Sequence, residues 1–113
     1  FYDNKFSYLT NATPLQMNKR ENSSNHLYIL LIDFKKINIS RSEVMKKLRK
    51  EGINTQVHYI PITHHPFYKK KNLKNKLNKT ENFYNKALSI PIFYDLKNKE
   101  QEHIAYHIKR IIK

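Results

Sequence analysis

His26–Asp33 (HLYILLID) constrains the fold more than any other stretch of this chain. It is an almost unbroken apolar run with little alternation. A strand with one face in water alternates apolar and polar side chains, whereas a run without alternation suits a strand covered on both faces. The spacing therefore predicts the central strand of a small sheet. At 113 residues the chain fits one domain, long enough for a single modest core.

The next segment carries the clearest helix punctuation. Ser40, Arg41, Ser42 and Glu43 have capping-box spacing: the Ser40 hydroxyl can accept the free N–H three residues on, and Glu43 can reach back. Val44, Met45 and Leu48 recur at helical spacing. Lys46, Lys47, Arg49 and Lys50 put positive charge near the end where the helix dipole favours it. Gly52, the only glycine, stands where a left-handed terminating residue is needed, and Ile53 follows as its hydrophobic partner. These signals predict a helix over Arg41 to Glu51.

Weaker patterns fill in the remainder. Phe1 to Phe6 reads as the end of a helix, Tyr8 to Thr10 as a short strand, and Pro14 as enforced extended chain. Asn18 to Asn25 is polar and reads as a loop. Asn54 to Tyr59 (NTQVHY) alternates, with Thr55, Val57 and Tyr59 on one face and Asn54, Gln56 and His58 on the other. That is the pattern of a surface strand, and also of one facing a substrate. Pro61 has no N–H and should end its ladder. Ile62 to Tyr68 reads as an aromatic and histidine loop. Thr80 is placed to cap a short helix through Leu88, and Ser89 to Phe93 reads as an edge strand or an extended linker. A last helix is expected from Asn98, with Gln101 as its capping-box partner and Ile104, Ile108, Ile111 and Ile112 as a buried stripe. The fold class that follows is α+β: a two-layer sandwich, a small sheet with helices on one face.

Composition excludes several chemistries. With no cysteine there are no disulfides, thiolate nucleophiles or zinc–thiolate sites, and a lone glycine rules out a Gly-rich phosphate loop. No apolar run approaches the roughly 18–20 residues that cross a bilayer, no signal peptide is evident, and a cytoplasmic setting fits. The formal charge of +13 raises nucleic acid as a partner. Lysine is spread along the whole chain, however, and its densest run, Lys69, Lys70, Lys71, Lys74, Lys76 and Lys79, reads as a solvated loop. His58, His64 and His65 lack the cysteine or carboxylate company of a metal site, so no metal is expected. No nucleophile turn or oxyanion hole marks a catalytic triad. Tyr28, Phe83 and Tyr84 fall on apolar faces and read as core. What the residues leave is a possible polar pocket around Gln56, His58 and Tyr68.

Ser23–Tyr28 (SSNHLY) and Gly52–Tyr68 (GINTQVHYIPITHHPFY), followed by Phe83, Tyr84, Leu88, Ser89, Ile90 and Pro91, resemble the C-terminal part of the DegT/DnrJ/StrS aminotransferases. The order and spacing of four motifs carry the resemblance, from about Ser23 to the end. It implies a fold-type I, homodimeric enzyme that transfers an amino group from glutamate to a UDP-linked 4-keto-6-deoxy sugar. Pyridoxal phosphate would sit as a Schiff base on a lysine of a larger domain. Residues 23–113 would be the small domain, and residues 1–22 the end of an inter-domain helix with an extended lead-in. The resemblance places substrate contacts at Gln56 and Tyr68. His58 shares the Gln56 face and either joins them or makes a structural hydrogen bond, while His26 and Tyr28 are left to packing. No residue of this chain matches the catalytic lysine or the cofactor-binding positions, so the chain alone is expected to be inactive. Because it starts at Phe1 and not Met, it is expected to begin inside a longer product. Two other expectations stay open: a basic nucleic-acid-binding module, and a stand-alone interaction domain of the same fold.

Overall fold

Tyr28–Ile32 forms β2, the middle strand of a three-stranded antiparallel sheet, as the apolar run predicts. The computed structural model describes residues 1–15, 24–70 and 77–113. In chain order its elements are α1 (Tyr2–Phe6), β1 (Ala12–Pro14), β2, α2 (Arg41–Lys50), a 3-10 turn (Ile62–His64), α3 (Pro66–Lys70), α4 (Asn78–Lys86), β3 (Ala87–Ile90) and α5 (Asn98–Ile112). The sheet order is β1-β2-β3, with Pro14 opposite Leu30 and Leu30 opposite Leu88. Directly opposed residues share a face. One face therefore carries Tyr28, Leu30, Ile32, Leu88 and Ile90, all buried, while Ile29 and Leu31 on the other are half-buried.

Helices cover the buried face. Tyr2 and Phe6 from α1, Val44 and Leu48 from α2, and Ile104, Ala105, Ile108 and Ile112 from α5 form one cluster with those strand residues. Burying each large aliphatic side chain contributes about 1.5–3 kcal/mol. Tyr2 lies 5.0 Å from the Tyr28 ring and donates its hydroxyl to the Pro91 carbonyl at 3.1 Å. Burial raises its pKa to about 12. Tyr28 belongs to the core, as expected, and its hydroxyl donates to Asp3 Oδ1 at 2.7 Å. His26, left to packing in the sequence reading, is exposed, because it precedes the strand.

The punctuation of α2 is realised at both ends. Ser40 Oγ accepts the Glu43 N–H at 3.3 Å, and Glu43 Oε2 accepts the Ser40 N–H at 3.0 Å. The hydrogen bonds from Ser40, with nearby Lys47 and Lys46, hold the Glu43 pKa below its ordinary value. At the other end Gly52 has φ +75°, its N–H donates to Arg49, and the Ile53 N–H donates to Leu48. That is the hydrogen-bond pattern of a Schellman motif, with Ile53 and Leu48 both buried beside it.

Several expected boundaries move. Tyr8–Thr10 is not a strand: Leu9 N–H bonds back to Phe6, and pairing with β2 starts where Asp33 N–H meets the Asn11 carbonyl. Pro14 lies inside β1. Asn11 and Leu15 bond to β2, so alternation turns the position of the missing Pro14 N–H to the outer side, where proline is tolerated. Thr80 does not cap α4, which begins at Asn78 after Leu77 with no side-chain cap. Ala87 and Leu88 leave the helix for β3, because pairing with β2 outweighs the continued helical spacing. In α5 the reciprocal partner is Glu100, which accepts the Lys97 N–H at 2.8 Å, while Gln101 donates instead to the Leu96 carbonyl. Ile111 is only partly buried, and Ala105 joins the stripe. Of the lysine run, Lys69, Lys70 and Lys79 are exposed on α3 and α4, and Lys71, Lys74 and Lys76 lie outside the described residues, as does most of the Asn18–Asn25 loop.

Candidate functional site

Asn54–Tyr59 is not a full strand. Its one ladder position is Gln56, which bridges Ser89 on the outer edge of β3. Gln56 N–H donates to the Ser89 carbonyl at 3.0 Å, and Ser89 N–H returns a bond at 2.8 Å. The ladder cannot extend in either direction. Two residues one way, β3 presents Pro91, which has no N–H. Two residues the other way, the Ala87 N–H is taken by Phe83 at the end of α4, and its carbonyl accepts from Arg41 Nη1 at 3.4 Å. Tyr59, expected to share an inward face with Thr55 and Val57, is 78% exposed.

Of the other half of that alternation, Gln56 and His58 meet on one side of Ser89. Gln56 is exposed, and its side chain stands on the same sheet face as that of Ser89. His58, two residues on, leans over that face with Nδ1 2.8 Å from Ser89 Oγ. Ser89 is buried, so this hydrogen bond ties the imidazole to the sheet. Tyr68 lies on α3, half-buried, edge-on to Phe67 at 5.1 Å. Among the described residues no hydrogen bond or ring contact joins Tyr68 to Gln56 or His58. Gln56 and His58 are thus both held against Ser89, while Tyr68 stands on the separate element α3.

Glu81 was not singled out by the sequence. His64 Nε2 lies 2.8 Å from Glu81 Oε1, and its ring packs edge-on against Tyr84 at 5.6 Å. The Arg41 guanidinium lies over the same Tyr84 ring, 4.6 Å from its centroid, and bonds to the Tyr84 carbonyl. Tyr84, half-buried, is therefore sandwiched between side chains of α2 and the 3-10 turn. His64 and Glu81 stand 17 positions apart in the chain, and no local spacing signals such a contact. Among the described residues no group of three His, Asp or Glu side chains could hold a metal ion.

From Tyr59 onward the chain exposes large apolar side chains: Ile60 at 55%, Ile62 at 56% and Phe67 at 61%. Thr55 and Thr63 each bury a hydroxyl oxygen with no hydrogen-bond partner among the described residues. Grooves of about 460 Å³, beside Ile53, Pro91, Phe93 and His103, and about 600 Å³, beside Lys35, Arg41 and Lys86, lie elsewhere. The candidate site is an open face, not an enclosed cavity.

Residues 1–109 match the sequence profile of the DegT/DnrJ/EryC1/StrS aminotransferase family. The chain is 33% identical to UDP-4-amino-4,6-dideoxy-N-acetyl-beta-L-altrosamine transaminase of Campylobacter jejuni over 92% of its own length and 27% of that protein. Its fold superposes with a TM-score of 0.86 on PseC of Helicobacter pylori, an aminotransferase involved in pseudaminic acid biosynthesis. The two are 31% identical over 98% of this chain and 30% of that one. The PLP form of Spr1654 from Streptococcus pneumoniae gives a TM-score of 0.80 at 26% identity, covering 97% of this chain and 28% of that one. The chain thus spans between a quarter and a third of the length of these relatives. With a matching profile along nearly its whole length and the fold of these enzymes, the chain belongs to the DegT/DnrJ/EryC1/StrS aminotransferase family.

Proposed function

We propose that this chain is the small, substrate-covering part of a pyridoxal-phosphate-dependent aminotransferase that moves an amino group from glutamate to a UDP-linked 4-keto-6-deoxy sugar. In this reading residues 23–113 are the small domain and residues 1–22 lead into it. The complete protein works as a cytoplasmic homodimer. One observation carries the assignment of the site: an exposed carboxamide and an anchored imidazole share one sheet face, beside a run of apolar side chains left in water. A carboxamide both donates and accepts, which suits sugar hydroxyls and diphosphate oxygens. The Tyr68 hydroxyl would supply a further contact on a neighbouring element. No helix among the described residues is long and apolar enough to cross a membrane.

We assign no cofactor contact to the described residues. None of the described lysines is buried. Of the half-buried lysines Lys5, Lys86 and Lys109, Lys5 pairs with Glu102 at 2.7 Å, and Lys109 donates to the Tyr8 hydroxyl at 2.9 Å. In this reading the cofactor, which would supply an electron sink for the reacting carbon, is held by polypeptide outside this chain. The chain alone should be inactive. In the complete gene product, Gln56→Ala and Tyr68→Phe should each raise KM for the UDP-sugar while leaving the cofactor absorbance band unchanged. Wild-type kinetics in both variants would remove the site assignment.

A further inference from the structure

We infer that Ser89 is a positioning residue for the proposed substrate contacts, holding Gln56 through its main chain and fixing the His58 imidazole, through its hydroxyl, as the Nε2–H tautomer. The inference rests on the reading of Gln56 and His58 given above. In a strand the main-chain groups and the side chain point in perpendicular directions. Ser89 uses both. Its N–H and carbonyl make the two bonds that fix Gln56 at the edge, at 2.8 and 3.0 Å. Its side chain stands on the face it shares with Gln56 and meets His58 Nδ1 at 2.8 Å.

Protonation follows from burial. Ser89 is only 6% exposed, and a buried hydroxyl hydrogen left without an acceptor is unfavourable. Among the described residues its hydrogen-bond partner is His58 Nδ1. The hydroxyl therefore donates, Nδ1 accepts, and the neutral ring carries its proton on Nε2. Nε2–H is directed away from Ser89 and is a donor. Beside the Gln56 carboxamide it suits an oxygen acceptor, such as a phosphate or a sugar hydroxyl.

Imidazole ¹⁵N NMR of the 113-residue chain at about pH 8, above the ordinary imidazole range, tests the tautomer without any enzyme activity. His58 Nδ1 should give a pyridine-like shift and Nε2 a pyrrole-like one, and Ser89→Ala should move both toward averaged values. A pyrrole-like Nδ1 in the wild type, or a tautomer insensitive to Ser89→Ala, overturns the inference alone. In the complete enzyme, Ser89→Ala should raise KM for the UDP-sugar about tenfold. In a His58→Asn background the same change should add less than about twofold, because Ser89 acts through His58. An equal rise in both backgrounds would make Ser89 a merely structural residue and overturn the inference. A tautomer that responds to Ser89 with no change of KM in Ser89→Ala or Gln56→Ala would overturn the substrate reading, and the inference with it.

Discussion

The covered face of the sheet and its free edge are built differently. On the face, α1, α2 and α5 close over Leu30, Ile32 and Leu88, each at 0% exposure, and the ends of α2 satisfy their own main-chain groups. At the free edge of β3, a single bridge at Gln56 gives way to a segment in which Ile60, Ile62 and Phe67 are more than half exposed. The covered face is complete within this chain. In the proposed reading, the apolar groups left in water at that edge meet a further surface. The contrast separates residues that hold the fold from residues that serve the site.

The largest test of that contrast sets Leu48→Ala against Ile62→Ser. Leu48 is fully buried and anchors the α2 terminus, so its truncation should destabilise the chain by about 2–5 kcal/mol in urea unfolding. Ile62→Ser should change stability by less than about 0.5 kcal/mol. Comparable losses in both would erase the distinction.

Next comes the alkaline limb. Tyr2 is raised to about 12 from an ordinary 10.0, so its contribution is fully present below pH 10 and is lost as pH rises through 12. Two units of difference correspond to about 3 kcal/mol. Tyr2→Phe should flatten that limb, at the loss of about 1 kcal/mol for the bond to Pro91. Denaturant titrations at a series of alkaline pH values check it; an unchanged slope would mean that Tyr2 is not sealed within the core.

The smallest effect is at the α2 cap. Ser40→Ala should cost about 1 kcal/mol. Because the Ser40 bonds keep Glu43 below its ordinary pKa, the Glu43 contribution is present above the ordinary value and is lost as pH falls through the lowered one. In Ser40→Ala that loss should be smaller and should be complete at higher pH. Acid unfolding curves of the two proteins check the shift.

Elements whose stabilising partners are local were legible in the sequence. The α2 box and its Gly52–Ile53 ending lie within a few residues of one another, and the apolar run of β2 marks the central strand, although on the second face it predicts to be covered Ile29 and Leu31 are only half-buried. Boundaries set by distant partners were not legible. Ala87 and Leu88 continue the helical spacing of α4, and only pairing with β2 turns them into strand. Tyr59 continues an alternation, but Pro91 and the engaged main-chain groups of Ala87 leave no edge for it to pair with. In the site, the shared face of Gln56 and His58 followed from period two. The Ser89 contact to His58 and the Glu81 contact to His64, which bridge 31 and 17 residues, could not be read from spacing.

Amide hydrogen exchange, measured in the 113-residue chain and in the complete gene product, probes the free edge most directly. Amides of residues 59, 60 and 62–64 should exchange at least about tenfold more slowly in the complete protein, and more slowly still with the UDP-sugar bound, while those of β2 keep their rates. Equal rates for these residues in the two proteins, with or without the sugar, would contradict the claim that this edge is completed from outside the chain.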